Sequence, residues 1–91
     1  MALGVYFAVN GLSAAKYDTV VKELEAAGAG APKGRTYHSC FGDPAGLHVY
    51  EVWSSQEEFD AFGATLMPIL AKNGIDPGQP SIAPIHNIIK G

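Results

Sequence analysis

Apolar residues along the chain follow two different periods, and the changes between them mark out the elements. From Leu3 to Asn10, Leu3, Val5, Phe7 and Val9 recur every second residue, and Tyr6 and Ala8 between them are also apolar. That pattern predicts a strand covered on both faces. After Gly11 and Leu12, Ser13 offers a side-chain oxygen to cap a helix on which Tyr17, Val20, Val21 and Leu24 form one apolar stripe. Lys16, Asp18, Lys22, Glu23 and Glu25 lie opposite, and Gly28 with the Ala29–Pro32 stretch ends the helix.

Arg35–Phe41 and Leu47–Trp53 read as two further strands joined through Asp43-Pro44-Ala45-Gly46. Pro presets the first central position of a type I turn, Asp bonds the backbone, and Gly accepts a positive φ in a bulge. This turn pairs Asp43 with Leu47, which sets Ser39 opposite Glu51 and Tyr37 opposite Trp53. His38, Cys40, His48, Tyr50 and Val52 then share the other face. Ser54-Ser55-Gln56-Glu57-Glu58 carries two overlapping helix-start signals, Ser54 with Glu57 or Ser55 with Glu58. Phe59, Phe62, Leu66, Ile69 and Leu70 mark the buried stripe, and Pro68 inside it predicts a kink or a break into two helices. A last strand is expected over Ser81–Ile89, with Pro84 pointing to an edge or a bulge.

The order is β-α-β-β-α-β, which calls for an α+β domain of ferredoxin-like type: a four-stranded antiparallel sheet with two helices on one face. Its other face would still carry aromatic and aliphatic side chains, a patch of the kind monomers avoid, so a homodimer is expected. Ninety-one residues hold a single domain, residues 1–91, and the one cysteine, Cys40, allows no internal disulfide. Self-association remains as a source of buried area.

The net charge is −3 and the six basic residues are dispersed, so the footprint of a nucleic-acid binder is missing. No apolar run approaches the length of a membrane helix, and the first residues do not read as a signal peptide. A cytoplasmic protein without nucleic-acid or membrane partners is expected. Gly28-Ala29-Gly30 follows a helix instead of opening one, which is the wrong context for a phosphate site. Neither a Cys-x-x-Cys pair nor a Ser-His-Asp order occurs.

Three residues have the chemistry of catalytic groups. His38 lies mid-strand and can act as a base, or can be a half-buried histidine bonded to a neighbour. His86 on the last strand carries the same two readings, and meets His38, if at all, only across a dimer. Glu51 interrupts an apolar strand, so it is either paired, with Ser39 or Arg35 nearby, or tuned for catalysis. Nothing in the spacing of these three demands a metal, and none is assigned. Tyr37, Tyr50, Trp53, Phe59 and Phe62 are candidates to line a cavity for a flat or apolar ligand, with Tyr37 and Trp53 foremost. Phe59 and Phe62 serve equally as core, and Cys40 reads as an inert thiol.

His38-x-x-Phe41, Gly46-Leu47-x-Val49-x-Glu51-Val52-Trp53-x-Ser55, Glu58-Phe59-x-x-Phe62, Pro68 and His86-Asn87 together resemble small proteins of the dimeric α/β-barrel superfamily, which includes antibiotic-biosynthesis-monooxygenase-like domains. The resemblance spans nearly the whole chain. It implies that two sheets meet at their open faces to form a barrel with the helices outside, and that a ligand cavity lies between sheet and helices. It also implies activities ranging from cofactor-free oxidation of aromatic polyketides to isomerisation or plain binding. The monooxygenase-like members usually carry a histidine where Phe62 stands. Haem-degrading members are similar at Asn10 and Trp53 but use a helical histidine that this chain does not offer. Two functions therefore stand side by side. One is a cofactor-free monooxygenase-like or isomerase-like enzyme for an apolar or aromatic substrate, and the other is a non-catalytic ligand-binding or structural dimer module.

Overall fold

The computed structural model describes residues 2–91. Its elements are β1 (Leu3–Phe7), α1 (Ala14–Ala26), β2 (Arg35–Asp43), β3 (Gly46–Trp53), α2 (Gln56–Lys72) and β4 (Ser81–Pro84). The four strands form one antiparallel sheet in the order β2-β3-β1-β4. This is the expected ferredoxin-like α+β arrangement. Val5 and Phe7 of β1 and Val49 and Trp53 of β3 meet Val20 and Leu24 of α1 and Phe62 and Leu70 of α2 in a single core. Trp53 and Val5 are wholly buried, and burying side chains of this size stabilises by roughly 2–3 kcal/mol each. Phe59 and Phe62 pack on the indole, with ring centroids 5.5 and 5.4 Å from it.

Both helices start where their serines predict. Ser13 Oγ accepts the N–H of Lys16, and Ser55 Oγ accepts that of Glu58, so of the two overlapping signals before α2 the second is used. The Glu58 carboxylate then accepts hydrogen bonds from the hydroxyls of both Ser54 and Ser55. α2 runs through Pro68 without dividing. Of the expected kink or break, the division into two helices does not occur: Pro68 and Ala64, whose carbonyl loses its partner, both lie on the exposed side of the helix, where water can bond that carbonyl. β4 stops at Pro84, well short of Ile89, and is an edge strand as its proline requires.

The β2–β3 hairpin departs from expectation by one residue. Asp43 pairs with Gly46, leaving a two-residue loop, and Asp43 Oδ1 accepts the N–H of Ala45 at 2.9 Å. Gly46 does not take a positive φ, so it forms no bulge; Gly42, at φ 116°, takes the left-handed position instead. Moving the register by one residue turns every β2 side chain to the other face. His38 now stands opposite Glu51, Cys40 opposite Val49 and Phe41 opposite His48. An irregularity between Arg35 and Tyr37 restores Arg35 to the same face as His38.

The expected pairing of Tyr37 with Trp53 is therefore corrected. Tyr37 is 54% exposed on the open face, beside Tyr50. Tyr6, Phe41 and His48 form a second aromatic group on that face, in which Tyr6 Oη and His48 Nδ1 lie 2.6 Å apart.

Two predictions follow from the start of α2. Gly34 has φ 93°, and a Cβ there would stand 2.5 Å from the Glu58 carboxyl carbon. Gly34→Ala should thus cost about 1–3 kcal/mol through backbone strain and displacement of Glu58, read as a lowered Tm. The two serine hydroxyls hold the Glu58 carboxyl below its ordinary range. Its contribution is therefore complete above the unfolded value, about 4.3, and is lost as pH falls through the lower folded value. Acid unfolding of Glu58→Gln should be less steep in that window, whereas an unchanged slope would show that the serine contacts carry no stability.

Candidate functional site

The hairpin register assembles a cluster that centres on Glu51, a carboxylate only 3% exposed. An ionised carboxylate can only accept hydrogen bonds, and burying one without partners is costly. Here each oxygen is supplied. Trp53, two residues further along β3 and so on the same face, donates Nε1–H to Oε1 at 2.9 Å. His38 Nδ1 lies 2.6 Å from Oε2, and Arg35 Nη1 lies 3.6 Å from the same oxygen. The Arg35 guanidinium also donates to Gly30 O and sits 5.8 Å above the Phe62 ring.

From the other side, Tyr17 of α1 brings its hydroxyl to 2.7 Å from His38 Nε2, with the two rings nearly parallel. The donor inventory then assigns the protons. Glu51 can only accept, so His38 carries its hydrogen on Nδ1, and with the imidazole neutral Nε2 accepts from the Tyr17 hydroxyl. The result is a continuous chain, Tyr17–His38–Glu51, with Trp53 and Arg35 fixing its far end. Once His38 takes up a proton the last contact reverses, Nε2–H donating to the phenolic oxygen. Burial pushes the Tyr17 hydroxyl above its ordinary range, helped by the negative charge that Cys40 and Glu51 can carry, with Arg35 opposing. Tyr17 thus stays a neutral hydroxyl. Burial chiefly, with Asp18 adding, also raises the Cys40 thiol, which keeps it unreactive.

This chain forms the polar wall of a cavity of about 200 Å³ between the sheet and the two helices. Tyr17, Arg35, His38 and Glu51 face it, and the remaining lining is almost wholly apolar, Phe7, Leu24, Phe62 and Leu70 among it. Such a concavity, largely hydrophobic with a few convergent polar groups and open to solvent on one side, is the usual form of a small-molecule site.

Of the residues singled out in the sequence, His38, Glu51 and Phe62 come together around this cavity. Trp53 is not part of its lining; it lies beneath, as the donor that holds Glu51. Phe59 packs between Trp53 and Phe7 in the core. Tyr37 and Tyr50 are on the opposite face of the sheet, and Tyr50 Oη covers Gly4. Asn10 is exposed and bridges to Asp76. His86 is exposed beyond the end of β4, which lies at the opposite sheet edge from the strand of His38. Among the described residues, no group of three or more His, Cys, Asp or Glu side chains is arranged to hold a metal ion, and no helix is long and apolar enough to cross a membrane.

Tyr17 was not legible as a member of this cluster, since at helical spacing it counts as one more apolar position on α1. The signal available was its hydroxyl: a tyrosine on a buried stripe needs a hydrogen-bond partner in the core.

No protein-family profile and no curated protein sequence matches the chain. Solved structures do. SnoaB, a cofactor-independent oxygenase from Streptomyces nogalater, superposes with a TM-score of 0.62 at 16% identity, over 99% of this chain and 96% of that one. A candidate antibiotic biosynthesis monooxygenase from Chloroflexus aurantiacus gives 0.64 at 17% identity, over the full length of both. Another from Caulobacter crescentus gives 0.58 at 17% identity, over 97% of this chain and 89% of that one. At these identities the likeness is one of fold. The chain has the ferredoxin-like α+β fold of the antibiotic-biosynthesis-monooxygenase-like proteins.

Proposed function

We propose that the protein is a cofactor-free enzyme of monooxygenase-like or isomerase-like kind, acting on a small aromatic substrate held between sheet and helices. The observation that carries this reading is the Tyr17–His38–Glu51 chain opening onto an otherwise apolar cavity. His38 is the proton acceptor. Glu51 holds its Nδ1–H and compensates the imidazolium formed when Nε2 takes a proton, the arrangement in which a carboxylate makes a histidine an effective base. Removing a proton from an aromatic hydroxyl leaves an electron-rich anion. Reprotonation at carbon gives isomerisation. Reaction with dioxygen gives oxygenation, which needs no added reductant when the substrate is a quinol: hydroquinone and O2 yield hydroxybenzoquinone and water.

The protein acts as a homodimer in this reading. Tyr37 and Phe41 are about half exposed on the open sheet face, Tyr37 against Tyr50 and Phe41 against Tyr6 and His48, a surface that a second copy would cover. One observation favours the alternative of a non-catalytic binding module: both ring nitrogens of His38 are already engaged, as in a purely structural histidine.

Oxygen uptake and quinone absorbance with hydroquinone as the probe separate the two. Wild-type protein should accelerate uptake, and His38→Ala should lower the rate by about 10²–10⁴-fold. Glu51→Gln should lower it comparably, because an amide N–H facing Nδ1 selects the wrong imidazole tautomer. Full activity in His38→Ala would rule out its role as base, and no acceleration by the wild type would favour the binding module. Native mass spectrometry should give twice the 9.5 kDa chain mass, and Phe41→Asp should shift it to the monomer.

A further inference from the structure

Most polar groups on the cavity wall are committed to one another, and what remains limits what can bind. Glu51, only 3% exposed, accepts from Trp53 at Oε1 and from His38 at Oε2, with Arg35 paired at 3.6 Å. The Arg35 guanidinium makes one hydrogen bond, to Gly30 O, and keeps donors for an oxygen of the ligand. His38 has no free nitrogen, since Nδ1 is held by Glu51 and Nε2 by Tyr17. Tyr17 has given its only proton to His38, but its oxygen still has acceptor capacity. Its hydroxyl stays neutral, so that oxygen does not bring a charge into the cavity. The volume is a second limit. A closed apolar cavity of about 150 Å³ takes benzene, whereas drug-sized ligands need roughly 300 Å³ or more. This pocket opens to solvent on one side, and its inner space of about 200 Å³ suits one aromatic ring with a small substituent.

We infer that the cavity recognises a single-ring phenol whose hydroxyl donates to Tyr17 Oη, so that Tyr17, and not His38, is the residue in contact with the ligand. This rests on the reading of the cavity as a ligand site and extends it by naming the ligand class and the contact atom. Proton movement follows the same line. The ligand O–H bond breaks as a new O–H bond forms at Tyr17 Oη, while the original Tyr17 proton passes to His38 Nε2. The ligand is left as a phenolate facing the Tyr17 hydroxyl, and the imidazolium faces Glu51.

Equilibrium binding tests this without any turnover, with benzene, phenol and 1-naphthol titrated calorimetrically against wild type and Tyr17→Phe. Benzene should bind both proteins equally, because the ring and the cavity are kept. Phenol should lose about tenfold in affinity in Tyr17→Phe, the loss expected when a buried hydroxyl is left unsatisfied. 1-Naphthol should bind the wild type more weakly than phenol. If phenol weakens no more than benzene, the contact with Tyr17 is overturned; if 1-naphthol binds more tightly than phenol, the single-ring limit is. Benzene binding without phenol binding in the wild type would overturn the inference yet leave the ligand cavity standing. Failure of both to bind would remove the inference and the cavity reading together. Should Tyr17→Phe not fold, the ¹³Cζ resonance of Tyr17 in the wild type serves instead. It should move with phenol and stay near its benzene-bound position if the hydroxyl binds elsewhere.

Discussion

A carboxylate buried to 3% exposure in the middle of a strand must find donors, and the arrangement of this protein around Glu51 is the set of ways in which it does so. The closest donor in sequence is Trp53, which the two-residue pleat of β3 places on the same face. The next is His38, brought across by the β2–β3 pairing. Arg35 follows after the irregularity in β2 that turns it inward. No buried side-chain nitrogen or oxygen among the described residues lacks a partner. Removing any one donor from such a set leaves charge or dipole uncompensated in a low-dielectric site, so fold stability and site geometry are coupled there.

That coupling extends to the helices. α1 carries Tyr17 to His38, and Phe62 of α2 lies beneath the Arg35 guanidinium, so both outer elements reach the same cluster. Around it the core is aromatic and aliphatic, and the lowered local dielectric makes the hydrogen bonds of the chain stronger than they would be at the surface. The result is a histidine held by a carboxylate on one side and by a tyrosine on the other, at the edge of an apolar space. The opposite face of the sheet has a different character. Tyr37 packs on Tyr50, and Tyr6, Phe41 and His48 pack on one another, with Tyr37 and Phe41 about half exposed.

Much of the fold was legible from local signals. Ser13 and Ser55 mark helix starts because only a side-chain oxygen at that position satisfies the free N–H groups of a first turn. The alternation of Val5 and Phe7 marks β1, and the order of elements implies the sheet topology. Pro68 does not divide α2, because the carbonyl it leaves without a partner, that of Ala64, lies where water reaches it. The hairpin misled. Asp-Pro-Ala-Gly suits a turn with a bulge at its glycine, yet Gly42 rather than Gly46 takes the positive φ, and the register moves by one.

By itself, then, the sequence determined the number and order of the elements, the ends of the helices, and the identity of Glu51 and His38 as groups needing explanation. These depend on capping, periodicity and the cost of burying charge, all of which act over a few residues. Which groups meet was decided only by the tertiary structure. Tyr17 is 21 residues from His38, and His38 is 13 from Glu51. A one-residue change in strand pairing would have put the histidine and the carboxylate on opposite faces. Register and helix docking are settled by the packing of the whole core, and no local pattern in the chain records them.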